Sequence, residues 1–439
     1  MGADFRTLNY LGSKFRLLSF IEDNVCKVTR KGAGVCDLFA GSGCVSYRLS
    51  QSFPVIACDI QHYSKVIANA LLRKNNGIER KAKAFLRSAS HTPLQAELLD
   101  VFKPLIDFEE RAIANKDSTA LTNVIEHGSV EVYNLEHPDS PLAGLLQKVG
   151  GDLRRHGLDN EKSLLSRYYG GVYFSYRQAV QMDAILECVF NQTVEGERDV
   201  YLAALLSAAS DVVDTVGKHF AQPIRARDSR GNIKSVVCSK ALKDKTVDIT
   251  SAYSEWLGKY ALLPRMENDS TAIQGESLDC LRELPDQIKT IYADPPYTRE
   301  HYSRFYHVLE TISLRDSPGV STVTIHGETH VSNGIYRAKR YQSPFCIRSR
   351  APMAFDRMFE LAAAKGRNIL LSYSPYDQTK QSHPRVVTID QLVGIAEKYY
   401  KKVDIVSAGS FRHNKLNSIQ NRLEASDEAE LLIVSMHAR

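Results

Sequence analysis

The sequence lacks several features that would place it in a specialised class of protein. No apolar run approaches the roughly 20 residues that a membrane-spanning helix needs. The amino-terminal stretch MGADFRTLNYLGSK has no apolar core of the kind found in export signals. Arg6 stands where a myristoylation signal requires Ser or Thr. We therefore expect a cytoplasmic protein without a membrane anchor.

The composition is that of an ordinary globular protein, with 43% hydrophobic and 24% charged residues. At 439 residues the chain is long enough for two or three compact units. Its formal net charge of +5 permits a polyanionic partner without requiring one. The eight cysteines never form a C-x-x-C pair, so we expect reduced, buried thiols rather than zinc ligands or disulfides.

Short apolar runs bounded by turn residues predict seven strands. They are VCDLF (Val35 to Phe39), VIACDI (Val55 to Ile60) and, further along, TAIQG, TIYADPPY, NILLSYS, VDIVSA and LLIVSM. Helical patterns follow the first two strands, from Cys44 to Ser50 and from Tyr63 to Arg73. Strands that alternate with helices in this way predict a parallel α/β sheet with right-handed crossovers.

The alternation of strands with helices stops between the second predicted helix and the strand TAIQG. This region contains helical stretches such as SLLSRYYGGVYFSYRQAVQMDAILECVF and YLAALLSAASDVVDTV, and basic turns such as AQPIRARDSRGNIK. We assign no element between residues 76 and 159. The sequence predicts one α/β domain, formed by residues 1–73 and 266–439, that is interrupted by a mostly helical insertion of residues 74–265. Such an insertion usually carries specificity, because it projects from a scaffold that has its own core.

A glycine turn follows the first strand in DLFAGSGC. Gly41 and Gly43 let the backbone pass close to a ligand, and the helix that begins next offers free N–H donors. A nicotinamide-dinucleotide site would need a third glycine for close helix–sheet packing, and Ser46 stands at that position. A glycine turn without a ligand is the structural alternative.

Acids and an aromatic residue around this turn suit a cationic cofactor. The Asp37 carboxylate would attract an ammonium group, and the ring of Phe39 would lie near a sulfonium. Asp59 ends the next strand, where an acid commonly binds ribose hydroxyls. Because Asp59 also fits a dinucleotide, it does not decide between the two cofactors.

The tetrapeptide DPPY ends the strand TIYA with an acid, two prolines and an aromatic ring. Proline cannot continue a sheet ladder, so Pro295 and Pro296 stop the strand. The carboxylate of Asp294 and the carbonyl of Pro295 can accept hydrogen bonds from the two hydrogens of a planar amine, which directs its lone pair towards an electrophilic methyl group. Tyr297 can stack on the base that carries the amine. A plain Asp-Pro turn is the structural alternative.

With both motifs in place, the chain resembles the D12 class of adenine-specific DNA methyltransferases, the Dam-like group. The resemblance is carried, in family order, by NYLGSK (Asn9 to Lys14), DLFAGSG, DPPY and ILLSYS, and two further blocks, YTREHYSRFYHVLETI and YYGGVYFSYRQAVQMDAI, resemble a subgroup found beside restriction systems. The resemblance implies S-adenosyl-L-methionine as methyl donor and a flipped adenine in double-stranded DNA as acceptor. It also implies a Rossmann-like sheet of seven strands, the last of them antiparallel.

The resemblance assigns residues to the cofactor site. Tyr10 and Lys14 match the motif that closes over the methionine end of the cofactor, where the lysine would pair with the methionine carboxylate. Asp37, Phe39, Gly41, Gly43 and Asp59 match the cofactor loop and the ribose acid. Glu276 and Ser277 replace the more usual Gly-Asp, and Glu276 is expected near the adenine ring of the cofactor.

Basic residues near these blocks are candidates for phosphate contacts. They are Lys218, Arg225, Arg227, Arg299, Arg304, Arg412 and Lys415. The structural alternative is a solvated charged face. Tyr302, Phe305 and Tyr306 either stack against a flipped base or pack a loop. His307 and Glu310 are spaced as metal ligands, but no further ligand follows, so we expect no metal.

The sequence therefore predicts a monomeric DNA adenine N6-methyltransferase, with a cognate restriction endonuclease as a candidate partner. The first alternative keeps the chemistry but changes the acceptor to the N4 amine of cytosine or to RNA. The others are a nicotinamide-dependent oxidoreductase and a DNA-binding module that has lost catalysis.

Overall fold

The structure is a computed structural model that describes residues 4–73, 78–89, 92–264, 266–325, 327–374, 385–408 and 430–439. The strands of these segments are β1 (Gly34–Asp37), β2 (Val55–Asp59), β3 (Thr271–Gln274), β4 (Ile288–Ala293), β5 (Thr322–Ile325), β6 (Glu328–Val331), β7 (Asn368–Tyr373), β8 (Tyr400–Ser407) and β9 (Leu431–Ala438).

Helices make up most of the remaining described chain. They are α1 (Leu18–Val28), α2 (Cys44–Ser50), α3 (His62–Leu72), α4 (Ile78–Ala89), α5 (Pro93–Ala114), α6 (Ser118–His127), α7 (Val130–Glu136), α8 (Ala143–Arg155), α9 (Leu164–Tyr169), α10 (Tyr176–Gln192), α11 (Glu195–Val212), α12 (Val236–Asp244), α13 (Ile249–Ala261), α14 (Ser277–Glu283), α15 (Tyr302–Phe305), α16 (His307–Leu314), α17 (Ala351–Ala363) and α18 (Ile389–Tyr399). Short 3-10 helices cover Lys14–Leu17, Glu161–Ser163, Val216–Lys218 and Pro344–Cys346.

The chain divides into two compact units. The first consists of Met1–Lys74, Pro264–Ser303 and Tyr341–Arg439, and the second of Asn75–Leu263 and Arg304–Arg340. The second unit thus takes in residues 304–340, which the sequence pattern assigned to the carboxyl-terminal half of the α/β domain.

The first unit contains the predicted sheet, whose seven strands within the described residues run in the order β3-β2-β1-β4-β7-β9-β8. Neighbouring strands from β3 to β7 are parallel, and β9 is antiparallel to both β7 and β8. This confirms the predicted fold class, including the antiparallel last strand. The pair β5–β6 lies in the second unit and was not predicted.

Both faces of the sheet are buried along most of its central strands, which explains why these strands are mostly apolar. Along β1 and β4, Cys36 and Ile291 face a core that includes α14, α17 and α18. The adjacent residues Val35 and Tyr292 face the opposite core, with α1 and α2. This period-two alternation gives the sheet a helical layer on each side.

The second unit is largely helical, as predicted for the insertion. The stretch from Ser163 to Phe190, predicted as helical, is broken between α9 and α10 at Gly170 and Gly171. Gly171 has a φ of +78°, and a Cβ atom there would lie 2.7 Å from the Tyr176 hydroxyl, so only glycine fits.

A disulfide joins Cys58 in β2 to Cys280 in α14. The expectation of reduced, buried thiols is therefore wrong for this pair. The other six cysteines are free, but Cys26 is exposed and Cys238 is only partly buried. The two residues are 222 positions apart in the sequence, and the packing of α14 beside β2 brings their Cα atoms to 6.9 Å.

Among the described residues, no helix is long and apolar enough to cross a membrane.

Candidate active site

The DPPY tetrapeptide leaves the sheet directly after β4 ends at Ala293. β4 is parallel to β1, and Tyr292 pairs with Asp37. From β1 the chain goes to β2 on one side, whereas β4 lies on the other, so the strand order reverses between β1 and β4. A crevice forms at such a reversal. The fold therefore brings the tetrapeptide and the glycine turn to one edge of the sheet.

A cleft opens at this edge. Its lining includes most of the predicted catalytic and cofactor-binding residues: Tyr10, Lys14, Phe39, Asp59, Glu276, Ser277, Asp294, Pro295, Pro296 and Tyr297. A smaller cavity of about 290 Å³ shares Lys14 and Asp294 with the cleft and is also lined by Asp37 and Gly41. Gly43 lies at the amino-terminal cap of α2.

Both glycines of the turn have a backbone conformation that other residues rarely adopt. The φ angles are +51° at Gly41 and +72° at Gly43. A Cβ atom at Gly41 would lie 2.8 Å from the hydroxyl of Tyr10, and one at Gly43 would lie 3.0 Å from Leu71. The close approach of Tyr10 to the turn therefore requires glycine at position 41.

Asp37 is 1% exposed. Its Oδ2 accepts a hydrogen bond of 2.6 Å from the hydroxyl of Ser46, whereas its Oδ1 is buried without a hydrogen-bond partner. Burial raises the pKa of Asp37 to about 7, and the Ser46 hydrogen bond partly opposes that rise. Ser46, whose position argued against a dinucleotide site, thus orients the acid, and one carboxylate oxygen remains for a ligand.

The other predicted cofactor acids already accept hydrogen bonds from the backbone. Asp59 accepts from Gly41 and Gln61, each at 2.9 Å, which fixes the glycine turn against the end of β2. Glu276 caps α14 by accepting from the N–H of Leu278 at 2.8 Å, and it also accepts from Tyr341. A carboxylate has about four acceptor positions, so both acids keep some capacity for a ligand.

Lys14 lies between two carboxylates. Its Nζ is 2.9 Å from Oδ1 of Asp294 and 3.4 Å from Oε1 of Glu430. Glu430 is 1% exposed and accepts a hydrogen bond of 2.7 Å from the hydroxyl of Ser372. The resemblance assigned Lys14 to the carboxylate of the cofactor, whereas in this structure its ammonium faces the first residue of the tetrapeptide. Glu430 was not identified from the sequence.

The pKa values of Asp294 and Lys14 are both shifted, and the charge of Glu430 contributes to both shifts. Burial raises the pKa of Asp294 to about 6; Lys14 lowers that pKa, and Glu430 raises it. Burial lowers the pKa of Lys14, but the charges of Asp294 and Glu430 outweigh it and leave that pKa well above its ordinary value. Lys14 is therefore a permanent cation, whereas Asp294 titrates close to the physiological range.

Tyr297 forms an aromatic wall of the cleft. Its ring centroid lies 5.0 Å from that of Tyr373, and the guanidinium carbon of Arg385 lies 4.7 Å from the Tyr297 ring. The hydroxyl of Tyr373 donates to the carbonyl of Val387 at 2.6 Å, which fixes the supporting ring. A planar base entering the cleft would meet a ring of restrained orientation.

The predicted DNA-binding residues differ in their exposure and in the contacts that their side chains already make with other residues. Lys218 donates to buried Asp244 at 2.8 Å, and Arg227 pairs with Glu126 at 3.1 Å. Arg225 donates to a glutamine side chain, Arg299 is exposed, and Arg304 is half-buried. Arg412 and Lys415 lie outside the described residues.

The aromatic residues that follow the tetrapeptide in the sequence lie in different places. Tyr302 lines the cleft, whereas Phe305 and Tyr306 are buried in the second unit, where Phe305 packs on His219. His307 is buried and its Nε2 lies 3.1 Å from the carbonyl of Phe220. Within the described residues, no group of three or more His, Cys, Asp or Glu side chains is arranged to hold a metal ion.

A protein-family model matches the first part of the chain. Residues 10–128 match the family described as D12 class N6 adenine-specific DNA methyltransferase. The matched segment contains most of NYLGSK and the whole of the glycine turn. The match confirms the family resemblance predicted from the motifs.

Three relatives extend over most of the chain. Modification methylase LlaI from Lactococcus lactis subsp. lactis is 24% identical over 97% of this chain and 54% of its own length. Type II methyltransferase M.FokI from Planomicrobium okeanokoites is 24% identical over 84% of this chain and 44% of its own length. Type II methyltransferase M.NlaIII from Neisseria lactamica is 22% identical over 94% of this chain and 95% of its own length. The chain thus spans about half the length of the first two relatives.

Proposed function

We propose that the chain is a site-specific DNA methyltransferase that transfers a methyl group from S-adenosyl-L-methionine to the exocyclic N6 amine of a flipped adenine. The observation that carries this proposal is the position of Asp294, which lines both the cleft that contains Pro295 and Tyr297 and the adjoining cavity that contains Asp37 and Gly41 of the glycine turn. The D12 family match and the three relatives named as methylases or methyltransferases support the same class.

The charge of the cleft supports this cofactor over a nicotinamide dinucleotide. Its lining contains Asp59, Glu276, Asp294 and Glu300 but, among lysines and arginines, only Lys14 of the described residues. S-adenosylmethionine carries a cationic sulfonium and an ammonium, whereas a dinucleotide carries an anionic pyrophosphate. An acidic lining favours the cations.

The residues present fit the cofactor. The buried Oδ1 of Asp37, which has no hydrogen-bond partner, is suited to accept from its ammonium group. Phe39 and the glycine turn would contact its body, and Asp59 at the end of β2 is suited to its ribose. When bound, S-adenosylmethionine supplies an electrophilic methyl group on its sulfonium.

The tetrapeptide orients the acceptor amine. The carboxylate of Asp294 and the carbonyl of Pro295 accept hydrogen bonds from the two N6 hydrogens, which favours a pyramidal nitrogen with a directed lone pair. Tyr297 stacks on the flipped base and sets its plane. Methylation leaves a positive charge on N6 until one proton departs, and the adjacent Asp294 carboxylate stabilises that charge.

The biological setting follows the relatives in this proposal. A monomer would bind double-stranded DNA in the cytoplasm, with exposed Arg299 among the phosphate contacts, and would protect sites that a cognate restriction endonuclease cuts. The insertion of residues 74–265 would supply target recognition.

The test uses purified protein, double-stranded DNA and a methyl donor labelled in its methyl group, followed by digestion of the DNA to nucleosides. Labelled N6-methyladenine is expected, and Asp294→Ala serves as the inactive control. Labelled N4-methylcytosine, or transfer to RNA in a parallel reaction, would establish the first alternative instead. Absence of transfer, together with thermal stabilisation by NADH but not by S-adenosylmethionine, would overturn the class.

A further inference from the structure

We propose that Lys14 and Glu430 are positioning residues: Lys14 holds Asp294 as a carboxylate with one oxygen directed at the target amine, and Glu430 holds Lys14 in place. This role rests on the proposed function and replaces the one that the resemblance gave to Lys14.

The contact between Lys14 and Asp294 leaves the two carboxylate oxygens unequal. The buried ammonium of Lys14 lies 2.9 Å from Oδ1 of Asp294. The side chain of Asp294 is 21% exposed and lines the cleft, so its second oxygen is the one available to a substrate. Because a charge-assisted hydrogen bond is short and strong, the contact with Lys14 restrains the rotation of the carboxylate.

Glu430 fixes Lys14 in turn. It immediately precedes β9, which is antiparallel and therefore begins at the edge of the sheet where β4 and β7 end. Its Oε1 accepts from the hydroxyl of Ser372 at 2.7 Å and lies 3.4 Å from the ammonium of Lys14. The acid is thus anchored to β7 and holds the lysine on the side away from the solvent.

One lysine shared by two carboxylates leaves an excess of negative charge in a buried place. Such an arrangement is costly in the resting protein, because buried charges are expensive unless they are balanced. The positive charge that develops on N6 during methylation restores the balance. The cluster is therefore more favourable in the transition state than in the ground state, which is the condition for faster chemistry.

Other ionisable groups also face this cluster: Asp37, Cys44, Tyr292, Tyr297, Tyr302 and, beyond the tyrosines, Arg385. Burial raises the pKa of Cys44 to about 11 and that of Tyr302 to about 12, so both stay neutral near pH 7. Asp37, with a pKa raised to about 7, titrates nearby. It is present in every variant below, so comparison with the wild type separates its contribution.

The test is the pH dependence of single-turnover methylation at saturating cofactor. Removing the cation in Lys14→Met should move the acidic limb of the rate profile to higher pH by about one unit. Removing the anion in Glu430→Gln should move it to lower pH, and Lys14→Arg should restore a limb near that of the wild type. Lys398→Met, which breaks an exposed ion pair with Asp356, is the matched control and should not move it.

Opposite shifts in the two variants support the role, because loss of packing alone would not move the limb in opposite directions. If both variants are active and the acidic limb of the pH–rate profile moves in neither, the proposed role is wrong. A Lys14→Met variant that loses cofactor affinity with an unchanged limb would also overturn it and would return Lys14 to the cofactor carboxylate. If Lys14→Met does not fold, Glu430→Gln alone decides.

The failure of the proposed function would be a separate result, namely a wild type that methylates no DNA. In that case ¹³C NMR titration of the Asp294 carboxyl in the same variants measures the two shifts without turnover. Opposite displacements would keep the electrostatic role of Lys14 and Glu430, and their absence would remove it.

Discussion

Each unit of the protein buries a lysine against acid, and the two arrangements differ. In the second unit, Lys245 and Glu109 are both almost fully buried and lie 2.9 Å apart. Lys245 also donates to the carbonyls of Gly171 and Phe174, and Glu109 also accepts from the N–H of Tyr176. That pair is balanced in charge and ties the connection between α9 and α10 to neighbouring helices.

In the first unit, Lys14 faces two acids, one of which opens into the cleft. The balanced pair has a structural role, because each charge is matched and its hydrogen bonds end on the protein. The unbalanced cluster has an excess of negative charge, which positive charge on a substrate can neutralise. Buried charge by itself does not identify a site; its imbalance beside a cavity does.

The largest expected effect is on chemistry at the unbalanced cluster. Asp294→Ala should lower single-turnover methylation at least about a thousandfold, because one of the two acceptors for the amine is lost. Affinity for S-adenosylmethionine, measured by calorimetry in the same preparation, should largely survive. Full activity in this variant would exclude the catalytic role of Asp294.

A large effect on stability is expected at the balanced pair. Lys245→Met leaves Glu109 buried and unpaired, so the free energy of unfolding should fall by about 3–5 kcal/mol in urea denaturation. Lys14→Met should cost less stability, since Asp294 is partly exposed and buried Glu430, whose contact with the ammonium is longer at 3.4 Å, keeps its hydrogen bond from Ser372. The comparison fails if Lys14→Met proves the more destabilising of the two.

The pH dependence of the wild type should reflect the carboxyl group of Asp294. Burial raises its pKa to about 6, so the carboxylate is present above that pH and is protonated below it. Protonation removes an acceptor, and the rate should therefore fall about tenfold for each unit below pH 6. A flat single-turnover profile between pH 5 and pH 7 would contradict this assignment.

A smaller effect is expected at the glycine turn. Gly41→Ala adds a Cβ atom 2.8 Å from the Tyr10 hydroxyl at a positive φ, so cofactor affinity should fall about tenfold and stability by about 1 kcal/mol. Gly32→Ala is the control, since its φ is +82° and open space surrounds it. Gly32→Ala should lose a similar amount of stability but keep its affinity for the cofactor. If Gly32→Ala and Gly41→Ala lost the same affinity, backbone strain alone would be responsible.

The smallest effect is expected from surface arginines. Arg299→Ala should weaken DNA binding a few-fold and lower the salt dependence by about one ion, as expected for one phosphate contact. Arg227→Ala should change binding less, because Arg227 must first release Glu126. Salt-dependent binding to a short duplex measures both, and a larger effect at Arg227 would reverse their ranking.

Much of the first unit is predictable from its sequence. Its strands are short apolar runs, several of which are followed by glycine or proline, and the helix predicted from Cys44 to Ser50 is observed with those limits. The positions of the functional side chains are also predictable, because parallel strands end at the same edge of the sheet. Glu430 was missed although the predicted antiparallel last strand implies that the residue before it reaches this edge.

Other features depend on long-range contacts that no local pattern reveals. The contacts of Lys14 with Asp294 and of Cys58 with Cys280 join positions far apart in the sequence, which the sheet brings together. In the second unit, amphipathic helices α4 to α8 occupy a region where no element was predicted. The break between α9 and α10 depends on the contact between Gly171 and Tyr176 rather than on helix propensity.

A structure of the protein with duplex DNA and the demethylated cofactor would show whether Asp294 and Pro295 hold the target amine. We expect a flipped adenine stacked on Tyr297, with N6 within about 3.2 Å of a carboxylate oxygen of Asp294 and of the carbonyl of Pro295. The free carboxylate oxygen should make that contact while Lys14 keeps the other. A target base bound elsewhere, or an Asp294 carboxylate turned away from it, would contradict the account.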